Sequence, residues 1–134
     1  MADINIPIGT EKTIEYIVKE EDTAINVGSG EVRVLATPRM LALMEEVSYK
    51  SVSEYLREGN VSVGTQMNIT HLKASAIGEK LTIKSILTKQ EDRKLVFDVE
   101  VNDKDSLVGK GECSRFIVNK SRFEEKAYSA INKK

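Results

Sequence analysis

The chain has a single histidine, His71, in the run Asn68-Ile69-Thr70-His71. Imidazole accepts and returns protons near neutral pH, so His71 is the first candidate for general acid–base chemistry. A carboxylate is the second. Glu45 lies in Leu43-Met44-Glu45-Glu46-Val47, where an acid on the buried side of a helix could activate water or attack a carbonyl. Thr37 precedes Pro38. It offers a hydroxyl beside amide groups that favour a developing oxyanion. Gly64, in Val63-Gly64-Thr65, weakens a strand unless something must approach its backbone closely. Taken one at a time, each residue reads better as ordinary structure: His71 as a core or interface residue, Glu45 as a solvated helix residue, Thr37 as an N-cap. The one thiol, Cys113, has neither a histidine nor a helix start beside it in sequence and reads as structural. No phosphate loop, dinucleotide fingerprint or metal-ligand spacing is present.

These candidates need elements to hold them. Thr37-Pro38 is a helix start, with threonine as N-cap and proline at the first helical position. From Pro38 to Leu56 the spacing is helical: Leu41, Met44, Ser48, Val52 and Tyr55 fall on one side, and Met40, Leu43 and Val47 widen its apolar arc. An arc that wide predicts a largely buried helix, ended by Gly59-Asn60. Before it, a polar lead-in over residues 1–10 gives way to a strand from Thr13 to Val18. A turn at Gly28-Ser29-Gly30 and a short extended run from Glu31 to Ala36 follow. After the helix the pattern is alternation. Ser62 to Leu72 is expected as a strand with Val63, Met67 and Ile69 on one face, and with Thr65 and His71 sharing it. Lys80 to Thr88, Lys94 to Val101 and Leu107 to Val118 are further strands. The tail from Ser121 is polar with a short helix. One long buried helix is the only object able to cover the apolar face of such an antiparallel meander. The expectation is an α+β chain, one domain over residues 1–134, with the sheet wrapped around one long central helix. Its open sheet edges favour pairing with a second copy.

The bulk composition narrows the function. With 20 basic and 21 acidic side chains and a net charge of −1, the chain lacks the field that grips a nucleic-acid backbone. A single cysteine makes neither an intramolecular disulfide nor a zinc cluster. No apolar run nears a membrane span, and Met1-Ala2-Asp3-Ile4-Asn5 lacks the basic start of a signal peptide. A cytoplasmic setting is expected. Lys110, Arg115, Lys120 and Arg122 read as solvated, a few of them available to a phosphate group.

The run Val34-Leu35-Ala36-Thr37-Pro38-Arg39-Met40-Leu41-Ala42-Leu43-Met44-Glu45, followed by Val63-Gly64-Thr65-Gln66-Met67-Asn68-Ile69-Thr70-His71, resembles the fluoroacetyl-CoA thioesterase family of hot-dog proteins. The A-T before the helix, the L-M-E within it and the G-T-x-x-x-x-T-H of the next strand match in order and spacing. A later G-x-G-x-x-x-R, Gly109 to Arg115, is also similar. The resemblance covers roughly residues 30–125 and implies a hot-dog fold. It also implies a catalytic set of Thr37, Glu45 and His71 at a dimer interface, with Gly64, Thr65 and Arg115 binding substrate. Three bland readings at once, at these spacings, become improbable.

It implies hydrolysis of a small acyl-CoA thioester to acid and CoA. No cofactor or metal is expected, since CoA belongs to the substrate, and a homodimer is expected, with a dimer of dimers as the larger option. One departure bears on substrate. The fluoroacetate-specific member carries phenylalanines just before the A-T, whereas Gly28 to Ala36 holds no aromatic residue. A general short-chain or unusual acyl group is therefore expected. The rivals are a non-catalytic acyl-CoA-binding module on the same fold and an enoyl-CoA hydratase. The second ranks lower, because the hydratases hold their Asp and His close together in sequence.

Overall fold

The computed structural model describes residues 5–132. Five strands form one antiparallel sheet: β1 (Glu11–Ile17), β2 (Asn60–His71), β3 (Lys80–Glu91), β4 (Lys94–Asn102) and β5 (Leu107–Asn119), in the order β1-β3-β4-β5-β2. Alternation in β3 and β4 turns Leu81, Ile83, Leu87, Leu95, Phe97, Val99 and Val101 to one face, all buried. Helix α2 (Thr37–Val52) lies on that face and buries Met40, Leu43, Met44, Val47 and Val52. The sheet thus wraps one long helix, as expected, with β1 and β2 as its outermost strands. A short helix, α1 (Ala24–Val27), precedes α2, and α3 (Lys120–Asn132) follows β5 with no buried residue. Among the described residues no helix is long and apolar enough to cross a membrane. Close packing of α2 on β5 depends on Gly109, where an added Cβ would lie 2.7 Å from the Met40 sulfur.

Several local expectations need correction. Thr37 is not the N-cap. Ala36 holds that position, and Thr37 and Pro38 open the helix itself. The run from Glu31 to Ala36 is a loop rather than a strand; its ladder pairing among the described residues is an isolated bridge, Thr23 to Leu35. The tail helix begins at Lys120 and runs 13 residues. Of the expected polar lead-in, residues 1–4 lie outside the described residues.

The correction that matters most is in β2. Its register against β5 slips between Gly64 and Gln66, leaving Thr65 as the extra residue of a bulge. A bulge reverses the in-and-out parity of every residue beyond it. Ser62 and Gly64 face α2 before it; Met67 and Ile69 pack on the core after it. Val63 therefore lies on the opposite face from Met67. Unbroken alternation would have put Gly64 and His71, seven positions apart, on opposite sides of the sheet.

Candidate active site

Because Ala36 takes the capping position, the Thr37 side chain makes no cap hydrogen bond. Its hydroxyl instead meets His71, the last residue of β2, with Oγ1 and Nδ1 2.7 Å apart. The chain beyond His71 is tied down: the Leu72 and Lys73 amides both donate to the Val108 carbonyl, and Lys73 pairs with Asp103 at 2.6 Å. The His71 ring is half-buried, and its Nε2 is buried with no hydrogen-bond partner among the described residues. Burial disfavours the imidazolium and pushes the His71 pKa below its ordinary 6.5, against a smaller opposing pull from the Lys73 backbone. At neutral pH this is an uncharged imidazole, able to take a proton.

A buried carboxylate that the sequence did not single out fixes the start of α2. Asp22 is 1% exposed. Its backbone carbonyl accepts from the Ala36 amide at 2.9 Å. Its carboxylate accepts from Arg39 Nε at 2.8 Å, the Tyr16 hydroxyl at 2.7 Å and the Lys19 amide at 2.8 Å. Burial raises the Asp22 pKa, but these donors together outweigh it, and the carboxyl sits below its usual range. The Arg39 guanidinium also lies over the Tyr16 ring at 5.0 Å. Asp22 and Arg39 clamp the first turn of α2, and with it Thr37. The only sequence signal was three consecutive acids, Glu20-Glu21-Asp22, too common a run to mark a site.

Two turns along α2, Glu45 belongs to a second cluster. Arg115 Nη1 donates to Glu45 Oε2 at 3.1 Å, while Arg115 Nε and Nη2 donate to the Ser62 hydroxyl and carbonyl, both at 2.8 Å. Arg115 is 6% exposed, so it is not the solvated residue expected from sequence. Its guanidinium also stacks on Tyr49 at 5.8 Å. Gly64 faces this cluster, and a Cβ added there would stand 2.1 Å from Glu45 Oε2. A glycine is what lets the carboxylate lie against the strand. Thr65 projects from the bulge, exposed, its hydroxyl donating to the Ser114 carbonyl at 3.2 Å. Cys113 is fully buried, and burial raises its thiol pKa, which suits a structural role.

Thr37, Leu41 and Glu45 are spaced four apart and form one stripe of α2 facing β2. One end of that stripe meets His71 and the other meets Gly64 and Arg115. The expected set is therefore divided in two within the chain. Thr37 and His71 touch, while Glu45 is displaced by eight residues, about 12 Å along the helix axis, and hydrogen-bonds Arg115 instead.

Comparison with known proteins agrees with the fold and bears on function. Residues 18–121 match the family described as fluoroacetyl-CoA-specific thioesterase. The fluoroacetyl-CoA thioesterase of Streptantibioticus cattleyicolor is 31% identical over 93 residues, which are 69% of this chain and 67% of that one. Among solved structures, a fluoroacetyl-CoA thioesterase superposes with a TM-score of 0.89 at 25% identity, covering 93% of this chain and 97% of that one. A variant of the fluoroacetyl-CoA-specific enzyme in complex with fluoroacetate and CoA gives 0.84 at 26% identity, covering 88% and 99%. A thioesterase superfamily member from Thermus thermophilus gives 0.87 at 25% identity, covering 96% and 95%. A match that runs through α2, the bulged β2 and Arg115 alike leaves one reading: the chain belongs to the fluoroacetyl-CoA-specific thioesterase family and is a thioester hydrolase of the hot-dog class.

Proposed function

We propose that the protein hydrolyses small acyl-CoA thioesters to free acid and CoA, in a homodimer whose sites combine Glu45 of one subunit with Thr37 and His71 of the other. The observation that carries this is the contact between Thr37 Oγ1 and the uncharged, half-buried His71 ring. A hydroxyl on an imidazole that has no other side-chain partner among the described residues suits proton transfer better than packing.

In the proposed reaction, water adds to the thioester carbonyl as Glu45 takes its proton. The carbon–sulfur bond then breaks, and the proton that Glu45 took reaches the departing CoA sulfur by way of the uncharged His71 ring, which accepts it and gives it up, so that Glu45 and His71 both return to their starting state. The Thr37 hydroxyl and the neighbouring amides at the start of α2 steady the oxyanion. A direct attack by Glu45, through an acyl-enzyme anhydride, uses the same groups. No resident metal or cofactor is needed.

The division of the site supports the dimer. β2 is an outermost strand, free to pair with its copy. Antiparallel pairing about a two-fold axis near Met67 and Asn68 would set Gly64 opposite the partner subunit's His71. Glu45 would then meet the partner's Thr37–His71 pair, closing the gap that one chain leaves open. The absence of an aromatic gate from the loop Gly28 to Ala36 supports an acyl group not restricted to fluoroacetyl.

The test uses two inactive variants. Glu45→Ala and His71→Ala should each reduce thiol release from an acyl-CoA by about a hundredfold or more. Unfolded together and refolded, they should recover about a quarter of wild-type turnover, because half the dimers are mixed and each mixed dimer has one intact site. No recovery would place the whole site within one subunit. Undiminished turnover in both single variants would reject the residue assignment, and binding of acyl-CoA without thiol release would favour a non-catalytic binder.

A further inference from the structure

The hollow in front of Glu45 is bounded by Arg39, Ala42, Glu46, Tyr49 and Arg115. Tyr49 and Arg115 also wall a second cavity of about 310 Å³, whose lining includes Ser53, Leu56 and Val61. The two hollows meet across the stacked Arg115–Tyr49 pair. Their chemistry differs. The first is lined by charged side chains of both signs, Arg39 and Arg115 with Glu45 and Glu46. The second is lined mainly by apolar groups, and the guanidinium at its edge is engaged: Nε and Nη2 on Ser62, Nη1 on Glu45.

We infer that this second cavity receives the acyl tail and makes the enzyme prefer neutral, unbranched acyl chains several carbons longer than a two-carbon unit. The inference rests on the proposed role of Glu45 beside the thioester carbonyl. A carbonyl held there has the apolar cavity beside it, across the Arg115–Tyr49 pair that lines both hollows. The cavity's 310 Å³ exceeds by severalfold the roughly 30 Å³ that one water-sized group occupies in a liquid, so it has room for several methylenes. A charged tail is disfavoured, because the Arg115 donors already have partners and the cavity's apolar lining leaves a second carboxylate unpaired.

The test is thiol release from acetyl-, butyryl-, hexanoyl-, octanoyl- and succinyl-CoA. Each methylene that enters the cavity should raise kcat/KM about fourfold, until the cavity is full, and succinyl-CoA should fall below butyryl-CoA. Ser53→Phe puts a ring where the cavity's lining is now a small side chain; it should keep acetyl-CoA turnover, whose acyl group ends before the cavity, and lose the gain for butyryl- and hexanoyl-CoA. Leu56→Ala should move the optimum to a longer chain. Retained acetyl-CoA turnover in Ser53→Phe also shows that the variant folds. Release from acetyl-CoA with no gain on lengthening, or a Ser53→Phe effect equal for all chains, overturns this inference and leaves the hydrolase reading standing. No release from any acyl-CoA overturns both.

Discussion

At the scale of single residues, the His71 ring carries the most informative environment. Its neighbours hold it uncharged by burial, and the hydroxyl of Thr37 is its one side-chain partner among the described residues. Two pH effects follow. Activity should fall on the acid side with a midpoint below 6.5, the ordinary value for the group, because the protonated ring cannot accept a proton. Stability should respond too. The folded pKa lies below the unfolded one, so between the two the unfolded chain binds the extra proton. Stability is therefore full above the unfolded pKa and declines as pH falls from there through the folded value. His71→Gln should flatten that decline in thermal melts taken from pH 8 to 5; an unchanged slope would mean that the ring is not the titrating group. Thiol detection suits these assays, since the chain's own thiol, Cys113, is buried with a raised pKa.

At the scale of elements, α2 and β2 each contain one device that sets the site. For α2 it is the Asp22 clamp, which joins the loop before the helix to Ala36 and Arg39. Asp22→Ala leaves the Tyr16 hydroxyl, the Arg39 guanidinium and the Lys19 amide without their acceptor. It should cost about 3 kcal/mol, the low end for breaking a buried charge pair because Arg39 retains some access to water. In calorimetry that is a drop in Tm of about 10 °C; a shift within 2 °C would show that the clamp is dispensable. For β2 the device is the bulge at Thr65, which turns Gly64 and His71 to the same face. Composition and alternation gave the existence of both elements: the wide apolar arc of α2 and the alternating strands were plain. The bulge was not plain, because an extra residue in a strand leaves no mark on hydrophobic period when Thr and Gln sit there. The helix cap was misplaced by one position for a similar reason: Thr-Pro suits both an N-cap and a first turn, and the partner of the threonine hydroxyl, 34 residues away, decides between them.

At the scale of the molecule, the divided site makes a quaternary prediction. A lone chain would leave the edge of β2 unpaired and Glu45 apart from Thr37 and His71. Sedimentation at micromolar concentration should give twice the mass of one chain, and turnover per chain should fall on dilution below the dimer dissociation constant. A fully active monomer would require a single-chain site and would contradict the pairing argued above. The match of residues 18–121 to the thioesterase family does not itself supply that geometry, since family membership fixes the class of chemistry more firmly than the assembly or the acyl group.

By itself the sequence determined the elements that local patterns encode: one buried helix, an antiparallel meander with one apolar face, and a Thr–Glu–His spacing specific enough to name a family. These rest on short-range physics, the side-chain period and the turn residues. Only the tertiary structure decided what depends on residues distant in the chain. It put Arg115 in the interior, because Ser62 and Glu45 supply acceptors for its charge. It brought Asp22 under the helix start, and it paired His71 with Thr37 while separating both from Glu45. Those outcomes turn on long-range partners and on a single extra residue in β2, which no local pattern records.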